Sequence, residues 1–404
     1  MVDNRKMQKS FNDLDPNAAS LQDTYALLAS LISPLDGEFV TLLEASGRRL
    51  TDDVVAQVDV PRHDVSAMDG YALATPDAPS HSLVGESVAG APYQSILQPG
   101  QCVYITTGAI VPAGSARVVV QEICSESNQT VTVGQFGQDH YIRRRGSDVA
   151  KGEVLAKAGQ VLDARSVGLL AAAGVEIVAV YRRPCIGIAS TGDEIKNGTT
   201  LDANRPMLIN LMKSLGVKVV DYGVISDSLA DTVALFEDAN RRCDIILTSG
   251  GVSVGSRDFI RPALESLGEV LQHKMKVKPG KPLTIGKLPN GLSIGLPGNP
   301  VSAYVMCILA VIPAIKGLNG KPIGLPSPDY LPCSTNFKHA IGRAEFQRAT
   351  RTGAGLSPTG AQDSHLTSIL SSADGLVYID GESTGYEEGD LAPYYAFERL
   401  VRLD

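Results

Sequence analysis

Apolar residues change their spacing four times along this chain, and each change marks a different kind of structure. In the first sixty residues, "LQDTYALLASLI" and "TLLEASGRRLTDDVV" place leucine and alanine at helical intervals. From Val60 to Asp148 the texture becomes short alternating runs, "QCVYITTGAIV", "ARVVVQEI" and "QTVTVGQF", between clusters of Gly, Pro and Ser. Such alternation predicts half-buried strands. "GEVLAKAGQVLDARSVGLLAAAGVEIVAVYRRP" then returns to helix and strand. The predicted arrangement is a helical linker domain (1–59 plus 149–180) interrupted by an inserted β-rich domain (60–148).

The next stretch alternates strand with helix. "CIGIAST", "VKVVDYGVI", "DIILTSGG", "VLQHKMKVK", "LTIGKL" and "GLSIGLPG" are apolar strands. "RPMLINLMKSLG" is a helix with Leu208, Leu211, Met212 and Leu215 on one face and Gly216 as its stop. Two further helices, "LADTVALFEDANRR" and "FIRPALESLG", separate strands, and a long one follows Asn299. Strands separated by helices predict βαβ units and a largely parallel sheet covered on both faces. A doubly wound α/β domain is therefore expected at 181–322. After Pro322 the runs "AEFQRATR", "GLVYIDG" and "GDLAPYYAF" predict a small C-terminal domain, β-barrel-like, at 323–404. The fold class is multidomain α/β plus β.

Composition excludes several functions. A formal net charge of -8 opposes general nucleic-acid binding, which needs a net basic face. The six cysteines show no C-x-x-C pairing and no histidine at metal-ligand spacing, so reduced thiols in a cytoplasm are expected. "MVDNRKMQKSFNDLD" lacks the apolar core of a signal peptide. The most apolar run, "VSAYVMCILAVIPAI", is shorter than the ~20 residues that span a bilayer, and it opens with a helix start signal. It is expected as a buried helix, with no membrane partner.

In open α/β sheets, ligands bind beyond the carboxyl ends of the strands. Four such ends carry candidate chemistry: Thr191-Gly192-Asp193-Glu194, then Ser226-Asp227, then Ser249-Gly250-Gly251 with Ser253 and Asp258, and finally Pro297-Gly298-Asn299-Pro300. Asn299 is placed to cap the following helix and Pro300 suits its first turn. The free N–H groups of that helix start favour an anion. "SGGVSVG" adds small residues whose backbone donors can wrap oxyanions. Glu194, Asp227 and Asp258 would repel one another if ionised and close together. Either one of them is protonated or a cation sits among them, and Mg²⁺, which takes one or two carboxylates plus phosphate oxygens, suits the set. Singly, each acid is as well explained by exposure or helix capping.

Against the acidic total, "KMKVKPGKP" gathers Lys274, Lys276, Lys278 and Lys281. On one strand the first three would point to one face, and a Pro-Gly turn re-aims the chain before the fourth. A solvated edge would explain the run. Beside a rim of backbone donors and acids, a pocket for a compact oxyanion explains it better. Two more polar stretches bound the β-rich domain: "PRHDVSAMDGYAL" with Asp64 and Asp69, and "YIRRRGSDVAKG" with Arg143 and Asp148.

Seven blocks in order, "SAMDGYA", "TTGAIVPAG", "RRRGSD", "TGDEI", "SGGVSVG", "KPGKP" and "LPGNPVSA", resemble the molybdopterin molybdenumtransferase family; "GAQDSHLTS" is a looser match. The resemblance implies an elongated homodimer with a cleft between the α/β domain of one subunit and the β-rich domain of the other. It implies Mg²⁺-dependent reaction of adenylylated molybdopterin with molybdate, releasing AMP. By position, Asp69 and Thr107 would come from the partner's β-rich domain, with Arg143 and Asp148 at its base. Glu194, Asp227 and Asp258 would line the metal and oxyanion region, Lys274 and Lys278 would hold molybdate or phosphate, and Pro297 and Pro300 would shape the pocket. The implied partners extend to a molybdopterin adenylyltransferase and to enzymes that accept the finished cofactor. This chain departs from the family pattern at Ala116 and Arg117, at Ser147, and at Ser256 and Arg257, losing carboxylates each time. A non-catalytic carrier of pterin cofactor and an adenylyltransferase remain as other readings.

Overall fold

The strand Ile245–Ser249 shows how the central sheet is built. Ile245 and Leu247 join one buried cluster with Leu208, Met212 and Val305, whereas Ile246 joins another with Phe236, Ala263 and Leu264. Successive side chains leave opposite faces of a strand, so an unbroken apolar run requires cover on both sides. The computed structural model describes residues 17–251 and 259–403, which form two compact units, Gly37–Val180 and the remainder.

In the larger unit, six strands lie in the order Lys218–Ile225, Cys185–Thr191, Ile245–Ser249, Leu292–Leu296, Pro282–Lys287, Glu269–Lys274. The first four run parallel and the last two add antiparallel. The helix Leu229–Arg242 packs with Ile260–Leu267 on one face. Asn204–Ser214 and the helical run from Pro300 to Leu318 cover the other. That run is apolar and long enough to cross a membrane by length and composition, yet it is almost wholly buried in this core.

Two expectations change. The helix Leu21–Leu31, capped by Ser20 and Asp23 reciprocally, was grouped by sequence with 149–180. Its Leu28 is instead fully buried in the α/β core, contributing roughly 2 kcal/mol. Of "TLLEASGRRLTDDVV", only Leu42–Ala45 is helical, and Arg49 and Leu50 form isolated bridges to Val161 and Val180.

The C-terminal sheet runs Val277–Lys278, Ala344–Thr352, Gly375–Ile379, Leu391–Ala396, Asp329–Pro332. Its first strand belongs by sequence to the lysine-rich run, so the chain passes from the α/β sheet at Lys274 into this second sheet at Val277. In the smaller unit, six strands lie in the order Arg117–Val120, Gly70–Leu73, Gln101–Ile105, Ser80–Ser87, Thr130–Val133, Cys124–Ser127. The helix Ala164–Ala172 packs with Val40, Leu50 and Val178 in a separate cluster.

Candidate active site

Three parallel strands end side by side, with Ser190 paired to Ser249 and Ser249 to Leu296. Beyond them opens a cleft of about 730 Å³. Glu194, Gly250, Gly251, Pro297, Gly298, Asn299 and Ser302 line its α/β side. Lys278, Pro279, Gly280, Lys281 and Pro282 form another wall, and Arg343, Gln362, Asp363 and Ser364 come from the C-terminal domain. Sequence reasoning named none of Ser302, Arg343, Gln362 and Asp363 as candidates. Ser302 lies within the "LPGNPVSA" block and Gln362, Asp363 and Ser364 within the looser "GAQDSHLTS" match, whereas Arg343 carries no signal in any block.

The α/β rim is held by short, neutral hydrogen bonds. Asn204, buried in the first turn of its helix, donates to Ser249 Oγ and to the Gly298 carbonyl, each at 2.7 Å. One amide thus ties two rim loops together, and no motif pointed to it. Ser249 Oγ in turn contacts the Pro297 carbonyl at 3.5 Å. Gly250 has φ +92°, and a Cβ there would lie 2.8 Å from the Thr191 carbonyl. Only glycine meets both demands. At Gly192, φ is +140° and a Cβ would strike the Glu194 carboxylate at 2.5 Å, so the glycine lets that carboxylate fold back over the turn.

Thr191 and Asp227 line a small adjoining pocket that shares Gly251 with the main cleft. Asp193, read from the sequence as a helix-start acid, has a second task. Its Oδ1 accepts from the Asp227 N–H at 3.2 Å while the Asp193 N–H donates to Asp227 Oδ2 at 3.4 Å. This reciprocal pair fixes the Asp227 turn beside Glu194's helix. Among the described residues no three carboxylate, imidazole or thiolate groups form a cation cage, and Asp258 and Ser253 lie outside the described residues. The donors that are present, Glu194 at the cleft and Asp227 beside it, are hard oxygens. They fit Mg²⁺ in the mode that uses one or two carboxylates together with substrate phosphates.

The lysines separate. Lys278 and Lys281 face the cleft, whereas Lys274 and Lys276 are absent from its lining. The reason is the change of sheet: Lys274 closes the α/β edge strand opposite Pro282, and the Lys276 N–H bonds to the Ala19 carbonyl. Lys278 lies in register with Glu345 of the neighbouring strand and its Nζ is 2.8 Å from Glu345 Oε1. The other oxygen, Oε2, accepts from His339 Nδ1 at 2.7 Å. Burial pushes the Glu345 carboxyl up, but hydrogen bonds from Lys278 and His339 outweigh it and hold the group below the ordinary carboxyl value.

The helix start at Asn299 also departs from expectation. Asn299 makes no side-chain cap; its amide donates to Ser364 Oγ at 3.0 Å, and the Val301 N–H bonds to the Ser364 carbonyl. The C-terminal domain therefore takes up donors that the sequence assigned to an anion. Pro300 holds the first helical position as expected. Behind Ser364, the buried Arg348 donates to the carbonyls of Ala361, Asp363 and Leu366 and to Gln362 Oε1, shaping the whole 361–366 loop.

In the smaller unit, Asp69 and Thr107 meet: the Thr107 N–H donates to Asp69 Oδ1 at 2.6 Å. Hydrogen bonds from Thr107 hold the Asp69 carboxyl below its usual value. Arg143 and Asp148 are exposed, at a strand end and in the following turn. Arg117, one of the departures from the family pattern, is buried with its guanidinium 4.6 Å from the centre of the Phe136 ring. Its charge is absorbed inside the unit by a cation–π contact.

With this geometry in view, comparison with known proteins gives one consistent answer. Residues 19–174 match the MoeA N-terminal region (domain I and II), 187–317 a probable molybdopterin binding domain, and 330–397 the MoeA C-terminal region (domain IV). The chain is 35% identical to a protein of Haemophilus influenzae named molybdopterin molybdenumtransferase, over 93% of this chain and 97% of that one. A protein of the same name from Nostoc is 34% identical over 74% of each. A crystal structure of the molybdopterin biosynthesis MoeA protein from Pyrococcus horikoshii superposes with a TM-score of 0.76 at 26% identity, covering 94% of this chain and 99% of that one.

Proposed function

Because this chain belongs to the molybdopterin molybdenumtransferase family, we propose that it inserts molybdate into adenylylated molybdopterin, releasing AMP and leaving molybdenum cofactor. The observation that carries the reading is the cleft itself, where cationic Lys278, Lys281 and Arg343 face glycine turns and Glu194 across about 730 Å³. Both reactants are anions whose approach in water is unfavourable. Fixed ammonium and guanidinium groups offset that repulsion and hold the two within reach of each other. As the pyrophosphate link opens, negative charge gathers on the departing AMP oxygen. Lys278, Lys281 and the backbone N–H of Gly251 would stabilise it.

Glu194 and Asp227 would hold Mg²⁺, which would neutralise phosphate charge there. Asp258 would join them, Ser253 would contact the substrate, and Lys274 would draw anions from a distance rather than touch them. The proposal includes a cytoplasmic homodimer, in which Asp69 and Thr107 of a second copy complete the cleft, with Arg143 and Asp148 at its base.

Purified protein given adenylylated molybdopterin, Mg²⁺ and molybdate should release AMP, and Lys278→Ala should slow release about 100-fold. Pterin binding without molybdate-dependent AMP release would establish a carrier instead. Mixing Asp69→Asn with Lys278→Ala subunits should restore about a quarter of the activity, since one site in each mixed dimer is intact. No restoration would remove the shared cleft.

A further inference from the structure

Lys278 is the cleft cation whose environment the structure defines most fully. Its side chain is 48% exposed, whereas its partner Glu345 is 4% exposed and His339 behind it 2%. The carboxylate is therefore approached from two sides: by an ammonium facing the cleft and by an imidazole inside the C-terminal domain. Both carboxylate oxygens are in use. Since an ionised carboxylate only accepts, Nδ1 of His339 carries the proton in that bond. Nε2 of the same ring is buried with no hydrogen-bond partner.

Geometry gives Glu345 a task that ion pairing alone does not explain. The parallel register sets Lys278 beside Glu345 on adjacent strands, so the ammonium is anchored from the closed side. An ammonium has three donors. Glu345 takes one and leaves the others for a ligand in the cleft. The tether fixes where the ammonium acts, and the buried negative charge moderates its pull on a dianion. We propose that Glu345 is a positioning residue that sets Lys278 for oxyanion transfer, with His339 holding the carboxylate from behind. The inference rests on the transferase reading of the cleft.

The test is a double-mutant cycle on the molybdate dependence of AMP release. With Lys278 present, Glu345→Gln frees the ammonium from its counter-charge, so KM for molybdate should fall about fivefold while kcat falls about tenfold. A residue that merely supports the fold would raise KM or leave it unchanged. In the Lys278→Ala background the same substitution should alter KM less than twofold, because the group through which it acts is gone. Equal changes in both backgrounds, or no change with Lys278 present, would overturn the proposal. The same cycle read by calorimetric titration with molybdate does not depend on turnover. There Glu345→Gln should tighten binding only when Lys278 is present. An intact chain that binds no molybdate would overturn the assignment, whereas one that binds with this coupling but releases no AMP would overturn the transferase reading and leave Glu345's role standing.

Discussion

The two walls of the cleft hold their polar groups by opposite means. On the α/β side, Asn204, Ser249, Gly250 and Gly298 are joined by neutral hydrogen bonds and close backbone packing. On the C-terminal side, Lys278, Glu345 and His339 form a charged row, and Arg348 is buried against backbone carbonyls. Neutral rims fix shape and lose little beyond the bond that is cut. Charged walls fix field, and cutting one partner strands the other in a poorly hydrated place. On the proposed function, the rim would select for size and the wall would handle anionic charge.

The largest expected effect lies on the charged side. Arg348→Met should cost about 3 kcal/mol, since several buried carbonyls lose their donor at once, and should raise proteolytic sensitivity in the 361–366 loop. A melting temperature within a degree of the parent would remove this wall from the comparison. On the rim, Gly250→Ala should cost about 2 kcal/mol through backbone strain and the clash with Thr191, measured by thermal melting. Asn204→Ala should cost about 1–2 kcal/mol and weaken pterin binding more than molybdate binding, because it loosens loops rather than removing charge. Equal weakening of both ligands would erase the division of labour.

The smallest effect concerns acid. A carboxyl depressed on folding adds stability that is fully present above its unfolded value and is lost as pH falls through the folded one. Glu345 is depressed from 4.5, so its share should persist at neutral pH and disappear below that value. The gap in melting temperature between the parent and Glu345→Gln should narrow as pH falls from 6 to about 3. A gap that stays constant would mean the carboxylate contributes no charge-dependent stability.

Sequence patterning made the rim legible but left the wall hidden. Apolar runs buried on both faces announced the strands Cys185–Thr191, Ile245–Ser249 and Leu292–Leu296, and the rule for strand ends then located the turns after them. Lys278 stood out because four lysines in an acidic chain are conspicuous. Glu345, its partner, carries no local signal, since the bond depends on Val277–Lys278 leaving one sheet for another. Asn299 was misjudged for a related reason: local rules make it a cap, and only the arrival of Ser364 from the C-terminal domain redirects its amide. Asn204 lay unmarked because a buried amide clamp looks, in sequence, like any helix-start asparagine.

The central claim, that this cleft holds an oxyanion between the glycine turns and the Lys278 ammonium, is tested most directly by a crystal soaked in tungstate. Anomalous density should lie within hydrogen-bond reach of Lys278 Nζ and of the Gly251 N–H. Ordered tungstate bound elsewhere, with Lys278 engaged by Glu345 alone, would contradict the account.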